Sequence, residues 1–254
     1  MKHNMTTPIK KSVSETGHAK NVANFQSLIS FCTGFGEVYN PSKESLKIPQ
    51  LQMLLQQAQE KMNATITQKT SFDNATNSRR NSFSDLKPLS TKISNAFSVA
   101  GVEQLGINNL KNMNKKLQGT TAKKASASAE DSQPETAKTI STSQQSYDKM
   151  VEHFSSIIEI LVQSSSYNPN ENHLKVKSLQ DKLSDMQTKN QELIDSYTQY
   201  SNAMLERNQF LYNPLSGLVQ TSKEIKQYVK SIFGASSPQY KQINGIEFKV
   251  IKGG

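Results

Sequence analysis

The sequence predicts an all-α fold: an elongated antiparallel helical bundle made of two tandem helical repeats with long coiled-coil-like helices. Three observations carry that expectation. A segment recurs 128 residues later, a heptad spacing of apolar residues runs through both copies, and a Tyr-Asn-Pro break stands at the same point in each.

The recurrence is ungapped. Tyr39-Asn40-Pro41 returns as Tyr167-Asn168-Pro169, Leu46-Lys47-Ile48 as Leu174-Lys175-Val176, and Leu51-Gln52 as Leu179-Gln180. Leu55 falls on Leu183, Ile66 on Ile194, Phe72 on Tyr200, Asn74-Ala75 on Asn202-Ala203, and Arg79 on Arg207. One register held over such a stretch is the signature of a duplicated supersecondary unit.

The same stretch has a seven-residue period. In the second copy position a takes Val176, Leu183, Asn190, Tyr197, Met204 and Leu211, and position d takes Leu179, Met186, Leu193, Tyr200 and Arg207. In the first copy a is Ile48, Leu55, Met62, Lys69, Thr76 and Phe83, and d is Leu51, Ala58, Thr65, Phe72 and Arg79. Mostly apolar a and d positions predict one long helix per copy, packed along that stripe. The first stripe, with Thr65, Lys69 and Thr76 on it, is the weaker.

Taken in order, the elements predicted are a disordered tail over 1–19, a first repeat over 20–117, a basic disordered linker over 118–142, a second repeat over 143–235, and an extended tail or short hairpin over 236–254. Each repeat reads as a helix (about 20–33 and 143–163), a loop at Tyr-Asn-Pro, the long helix (about 46–85 and 173–211) and a further helix (about 88–99 and 215–233). Proline closes the preceding helix because it pushes the residue before it out of helical geometry; Pro88 and Asn213-Pro214 mark the second break. Residues 102–117 predict a short helix leading into the linker. The linker is rich in Thr, Ala, Ser and Lys and holds no aromatic residue, so it buries too little to offset the entropy of ordering. In the last stretch Asn244-Gly245 is a turn signal, and alternation follows it.

Bulk composition limits what such a fold encloses. The hydrophobic fraction is 34% and tryptophan is absent, against ~45–50% apolar residues in ordinary globular chains. Thin layers of amphipathic helices suit this better than a thick core. The net charge of +9 is uneven: residues 1–146 hold 18 Lys+Arg and 10 Asp+Glu, the remainder 12 and 11. The first part therefore carries most of the attraction for an anionic partner. With one cysteine, Cys32, no intramolecular disulfide forms. No apolar signal core and no stretch of ~18 apolar residues occurs, so a cytoplasmic location and no membrane span are expected.

Site chemistry is thin, and neither a catalytic group, a cofactor nor a metal is predicted. Cys32 lies at helical spacing among Leu28, Ile29 and Phe31, which reads as a buried structural thiol rather than a nucleophile. His3, His18, His153 and His173 show no metal-ligand spacing. Gly34-Phe35-Gly36 follows a helix and lacks a third glycine, so it reads as a helix end rather than a phosphate loop. Asp181 with Asp185, and Glu192 with Asp195, stand near Lys177, Lys182 and Lys189 and read as surface pairing. Arg79-Arg80-Asn81-Ser82 fits the pattern of basophilic kinases.

Two features remain as candidate contacts. Arg79 and Arg207 share the last d position, where arginine either lays its stem on the stripe with its head in water, or takes part in a buried ion pair or a partner contact. Lys111, Lys115, Lys116, Lys123 and Lys124 form a basic run without an acidic residue between Glu103 and Glu130. Such a run attracts phosphate without sequence preference. It has neither aromatics for stacking nor arginine for reading bases, so a solvated tether is the simpler reading.

Ser27-Leu28-Ile29-Ser30-Phe31 with Tyr39-Asn40-Pro41-Ser42, then Ile140-Ser141-Thr142-Ser143-Gln144-Gln145-Ser146-Tyr147, then Tyr228-Val229-Lys230-Ser231-Ile232-Phe233-Gly234-Ala235-Ser236-Ser237-Pro238-Gln239, together resemble a family of uncharacterised bacterial proteins with a duplicated helical layout. The resemblance implies a bacterial origin and brings no activity, ligand or residue role. The expectation from the residues is a non-enzymatic structural or protein-interaction protein whose partner is itself or another protein. The alternatives are a nucleic-acid-associated basic protein that binds phosphate backbone, and, third, a membrane-active helical protein.

Overall fold

The computed structural model describes residues 16–119 and 146–251. The predicted linker lies outside these from residue 120 on, as do the first fifteen residues of the predicted N-terminal tail.

Among the described residues all regular structure is helical: α1 Thr16–Gly34, α2 Ile48–Phe83, α3 Leu86–Ser98, α4 Gln104–Gln118, α5 Tyr147–Val162, α6 Val176–Tyr212, α7 Leu218–Phe233 and α8 Pro238–Asn244. The all-α expectation is met. A single 3-10 turn precedes each long helix, at Glu44–Leu46 and at Asn172–Leu174.

Local chemistry sets most boundaries. Ser146 caps α5 by accepting from the Lys149 N–H at 3.2 Å. At α8 Ser237 accepts from the Tyr240 N–H at 3.1 Å, and Pro238 opens the first turn, where a missing N–H costs nothing. Between α6 and α7 the Asn213 side chain accepts from the N–H groups of Leu215 and Ser216. There Gly217 has no room for a side chain, since a Cβ would stand 2.5 Å from the Asn213 nitrogen.

The chain folds as two compact units that divide the long helices. The first joins the residues up to Ser71 with those from Tyr197 onward; the second is Phe72–Ser196. The predicted repeats, 20–117 and 143–235, are each shared between the two units. Both long helices are divided between the units, α2 of 36 residues between Ser71 and Phe72 and α6 of 37 residues between Ser196 and Tyr197.

Within the first unit, α1 packs its Phe25, Leu28, Ile29 and Cys32 against Leu51, Ala58 and Met62 of α2, Leu211 of α6, and Leu218, Ile225 and Val229 of α7. Lys61 pairs with Glu206 at 2.8 Å, and Thr65 donates to the Ala203 carbonyl at 3.3 Å. The two segments therefore run antiparallel here. Within the second unit, α5 packs Phe154, Ile157, Ile158 and Leu161 against Leu86, Ile93 and Phe97 of α3, Leu110 and Leu117 of α4, and Leu179 and Met186 of α6. Ser82 donates to Asp185 and Lys182 to Asp85, again an antiparallel order.

The two cores use the same spacings. Phe25, Leu28, Ile29 and Cys32 are spaced as Phe154, Ile157, Ile158 and Leu161 are; Leu218, Ser222, Ile225 and Val229 are spaced as Leu86, Ser90, Ile93 and Phe97 are, and all are buried. Each fully buried Phe, Leu or Ile contributes about 1.5–3 kcal/mol over its exposed state.

Several expectations need correction. Residues 16–19 of the predicted disordered tail are the first turn of α1, because Gly17 and Asn21 bear on the C-terminal segment. Of the extended tail or short hairpin predicted over 236–254, the first part is instead α8, because the Ser237-Pro238 cap starts a helix that reaches Asn244; residues 246–251 follow without regular structure, and no hairpin forms among the described residues. The second break in the first copy falls at Ser84-Asp85, and Pro88 sits inside the first turn of α3, where proline is tolerated. Of the stripe positions, Leu51, Ala58, Met62, Thr65, Phe83, Leu179, Met186, Arg207 and Leu211 are buried, whereas Lys69 and Tyr197 are exposed.

Candidate functional site

Cys32 is fully buried, and burial pushes its thiol up to about 12, offset in part by a hydrogen bond with Tyr39. A thiol so held is protonated at neutral pH and is a poor nucleophile. The carboxylate pairs read as surface pairing do lie in exposed contacts: Asp181 with Lys177 at 2.6 Å, Glu192 with Lys189 at 2.9 Å. Among the described residues no three His, Cys, Asp or Glu side chains stand together as a metal would need, and no helix is long and apolar enough to cross a membrane. Gly34 closes α1 and Gly36 takes a left-handed φ of 61°, the geometry of a helix end.

The two arginines part company. Arg79 is half-buried, and its guanidinium lies 4.1 Å above the centre of the Tyr147 ring, while its Nε–H has no hydrogen-bond partner. Arg207 is only 2% exposed. The reading with the head in water fails for it, since the whole side chain is buried, and Asn208 Oδ1 accepts from its Nε and Nη2 at 3.2 and 3.0 Å.

Lys111, Lys115 and Lys116 are exposed on α4, the first two one turn apart. On α5 the hydrogen bond from Lys149 holds the Glu152 carboxyl below the usual range, and the charge of Lys116 adds a little in the same direction. Lys123 and Lys124 lie outside the described residues.

What the sequence did not reveal is a clip at the start of α1. Gly17, Asn21 and Asn24 are four and three residues apart, so they fall on one helix face. Asn21, 2% exposed, donates from Nδ2 to the Lys249 carbonyl at 2.7 Å and accepts from the Lys249 N–H at 3.0 Å. Asn24 donates to the Glu247 carbonyl at 2.6 Å. His18 Nδ1 stands 2.7 Å from the Tyr212 hydroxyl, to which Asn21 also donates at 3.2 Å. From α7, Lys226 donates to the carbonyls of Asn244 and Ile246 at 3.0 and 2.5 Å, and burial lowers its pKa. The trace in the sequence was the alternation after Gly245, read as an extended tail or short hairpin; the segment lies against a helix bearing two carboxamides. Comparison of the chain with family models, with curated proteins and with solved structures finds no match.

Proposed function

We propose that the chain is a non-enzymatic structural or protein-interaction protein built from two tandem helical repeats on long coiled-coil-like helices. The equal core spacings in the two units support the duplication. So do the two tyrosine bonds, Tyr39 to the Leu46 carbonyl and Tyr167 to the Leu174 carbonyl, each 2.9 Å.

One observation carries the interaction role. Ile66 on α2 and Ile194 on α6, which match in the sequence recurrence, are 56% and 58% exposed. A single exposed isoleucine is ordinary. The same exposed isoleucine at the same place in both copies is better explained by a surface that something covers. The partner expected is a second copy of the chain. Light scattering on the eluting peak tests this: self-association is expected for the unaltered chain, and Ile66→Asp with Ile194→Asp reduces it. A monomer at tens of micromolar, unchanged by the substitutions, removes the reading.

Lys111 and Lys115, exposed one turn apart on α4, favour a second reading in which the basic run binds nucleic-acid phosphate. A gel-shift titration at ~50 mM salt, where phosphate contacts are strongest, decides it; absence of a shift there ends it.

A further inference from the structure

We propose that the face of α1 bearing Gly17, Asn21 and Asn24 is an extended-peptide site, self-occupied by residues 246–251, and that a peptide of the same chemistry takes that seat in trans. This goes beyond the interaction role above and uses other residues, so loss of self-association leaves it standing.

The hydrogen bonds from α1 and α7 read the segment's backbone. Asn21 gives and takes at Lys249, Asn24 gives at Glu247, and Lys226 gives at Ile246. A carboxamide offers a donor and an acceptor side by side, the pattern one residue of a strand edge offers its neighbour. Asn21 therefore acts as one rung of a ladder projected from a helix. Burying that amide is costly without such a partner, so the position is built for a peptide backbone.

Selection comes from three of the side chains. Ile246 and Phe248 pack on the core of the first unit, with Lys226 5.6 Å from the Phe248 ring centre. Ile251 lies against Gly17, where a Cβ would stand 2.6 Å from its Cδ1. Glu247, Lys249 and Val250 are exposed and free to vary. The ligand class is thus an extended peptide with branched or aromatic side chains at its first, third and sixth residues. The tethered segment competes at a high effective concentration, so the unaltered chain takes such a peptide weakly.

The test uses the full chain. With Phe248→Ser and Ile251→Ser the tail is weakened and the groove is intact. A labelled peptide of residues 244–251 then binds at least tenfold tighter than to the unaltered chain, and adding Asn21→Ala abolishes the gain. No gain in a variant with native helical content, or a gain that survives Asn21→Ala, overturns the proposal. Should the weakened variant lose helical content, hydrogen exchange at the Lys249 amide of the unaltered chain replaces it. Excess unlabelled peptide speeds that exchange if the seat is shared, and unchanged exchange at millimolar peptide overturns the proposal.

Discussion

In the first unit Tyr39 donates to the Leu46 carbonyl and stands edge-on to Tyr228 of α7, ring centres 5.4 Å apart; in the second Tyr167 donates to the Leu174 carbonyl and tilts against Phe97 of α3 at 5.8 Å. Around these the core spacings agree, and the covering differs. The second unit is finished by α4, a 15-residue amphipathic helix packed on α3 and α5. Among the described residues, the first is finished by the seven residues of α8 and the segment after it. One long helix and its flanking turns specify the scaffold, and what closes the remaining face is free to differ. In the second unit it is apolar burial; in the first it is apolar burial by Ile243, Ile246 and Phe248 joined by a buried amide satisfied by a backbone.

The sharpest test of that likeness is at the paired phenylalanines. Phe25→Ala and Phe154→Ala each cost about 3–5 kcal/mol, read as urea midpoints, with hydrogen-exchange protection lost mainly in the unit that carries the change. A cost below ~1 kcal/mol at either position breaks the comparison. Next come the hydroxyls. Tyr39→Phe and Tyr167→Phe each cost about 1–2 kcal/mol for the lost bond and the carbonyl left behind. Tyr39→Phe is the larger, because Cys32 loses its partner as well.

A smaller effect separates the units by pH. The residue before the core phenylalanine is Asn24 in the first unit and His153 in the second. Burial lowers the His153 pKa from its ordinary 6.5, with Lys116 and Lys149 acting the same way and Glu152 opposing. The neutral ring belongs to the folded state, so its contribution is full above pH 6.5. It falls as pH drops through that value, until the lowered folded-state pKa is passed. His153→Gln flattens stability between pH 5 and 7 in chemical denaturation; an unchanged slope refutes the assignment. The smallest effects are at the bridges: Lys61→Met and Lys182→Met each cost under ~1 kcal/mol. Lys182→Met is the larger, since Lys182 is the less exposed and also donates to the Ser82 carbonyl.

Much of the scaffold was legible because it is periodic. The heptad from Ile48 and Val176 gave two long helices whose observed starts are those residues, and Tyr-Asn-Pro gave the loops before them. Lys69 and Tyr197 escaped that logic, since a stripe is hidden only where a neighbour covers it. Arg207 escaped it in the other direction, by being enclosed. The clip was illegible because Asn21 and Asn24 on a helix resemble any polar surface pair until a distant backbone comes to lie against them.

The sequence by itself determined most of the helical segments, α8 and the first turn of α1 excepted, and where most of them stop, because helix propensity, capping and periodicity act over a few residues. Only the tertiary structure decided that α1 shares its core with α7 and α5 with α3, and that a carboxamide at position 21 is buried against Lys249. Those pairings join residues some two hundred positions apart in one unit and about sixty in the other. They follow from which apolar faces meet within each unit, and a pattern that acts over a few residues does not fix a pairing across so much chain.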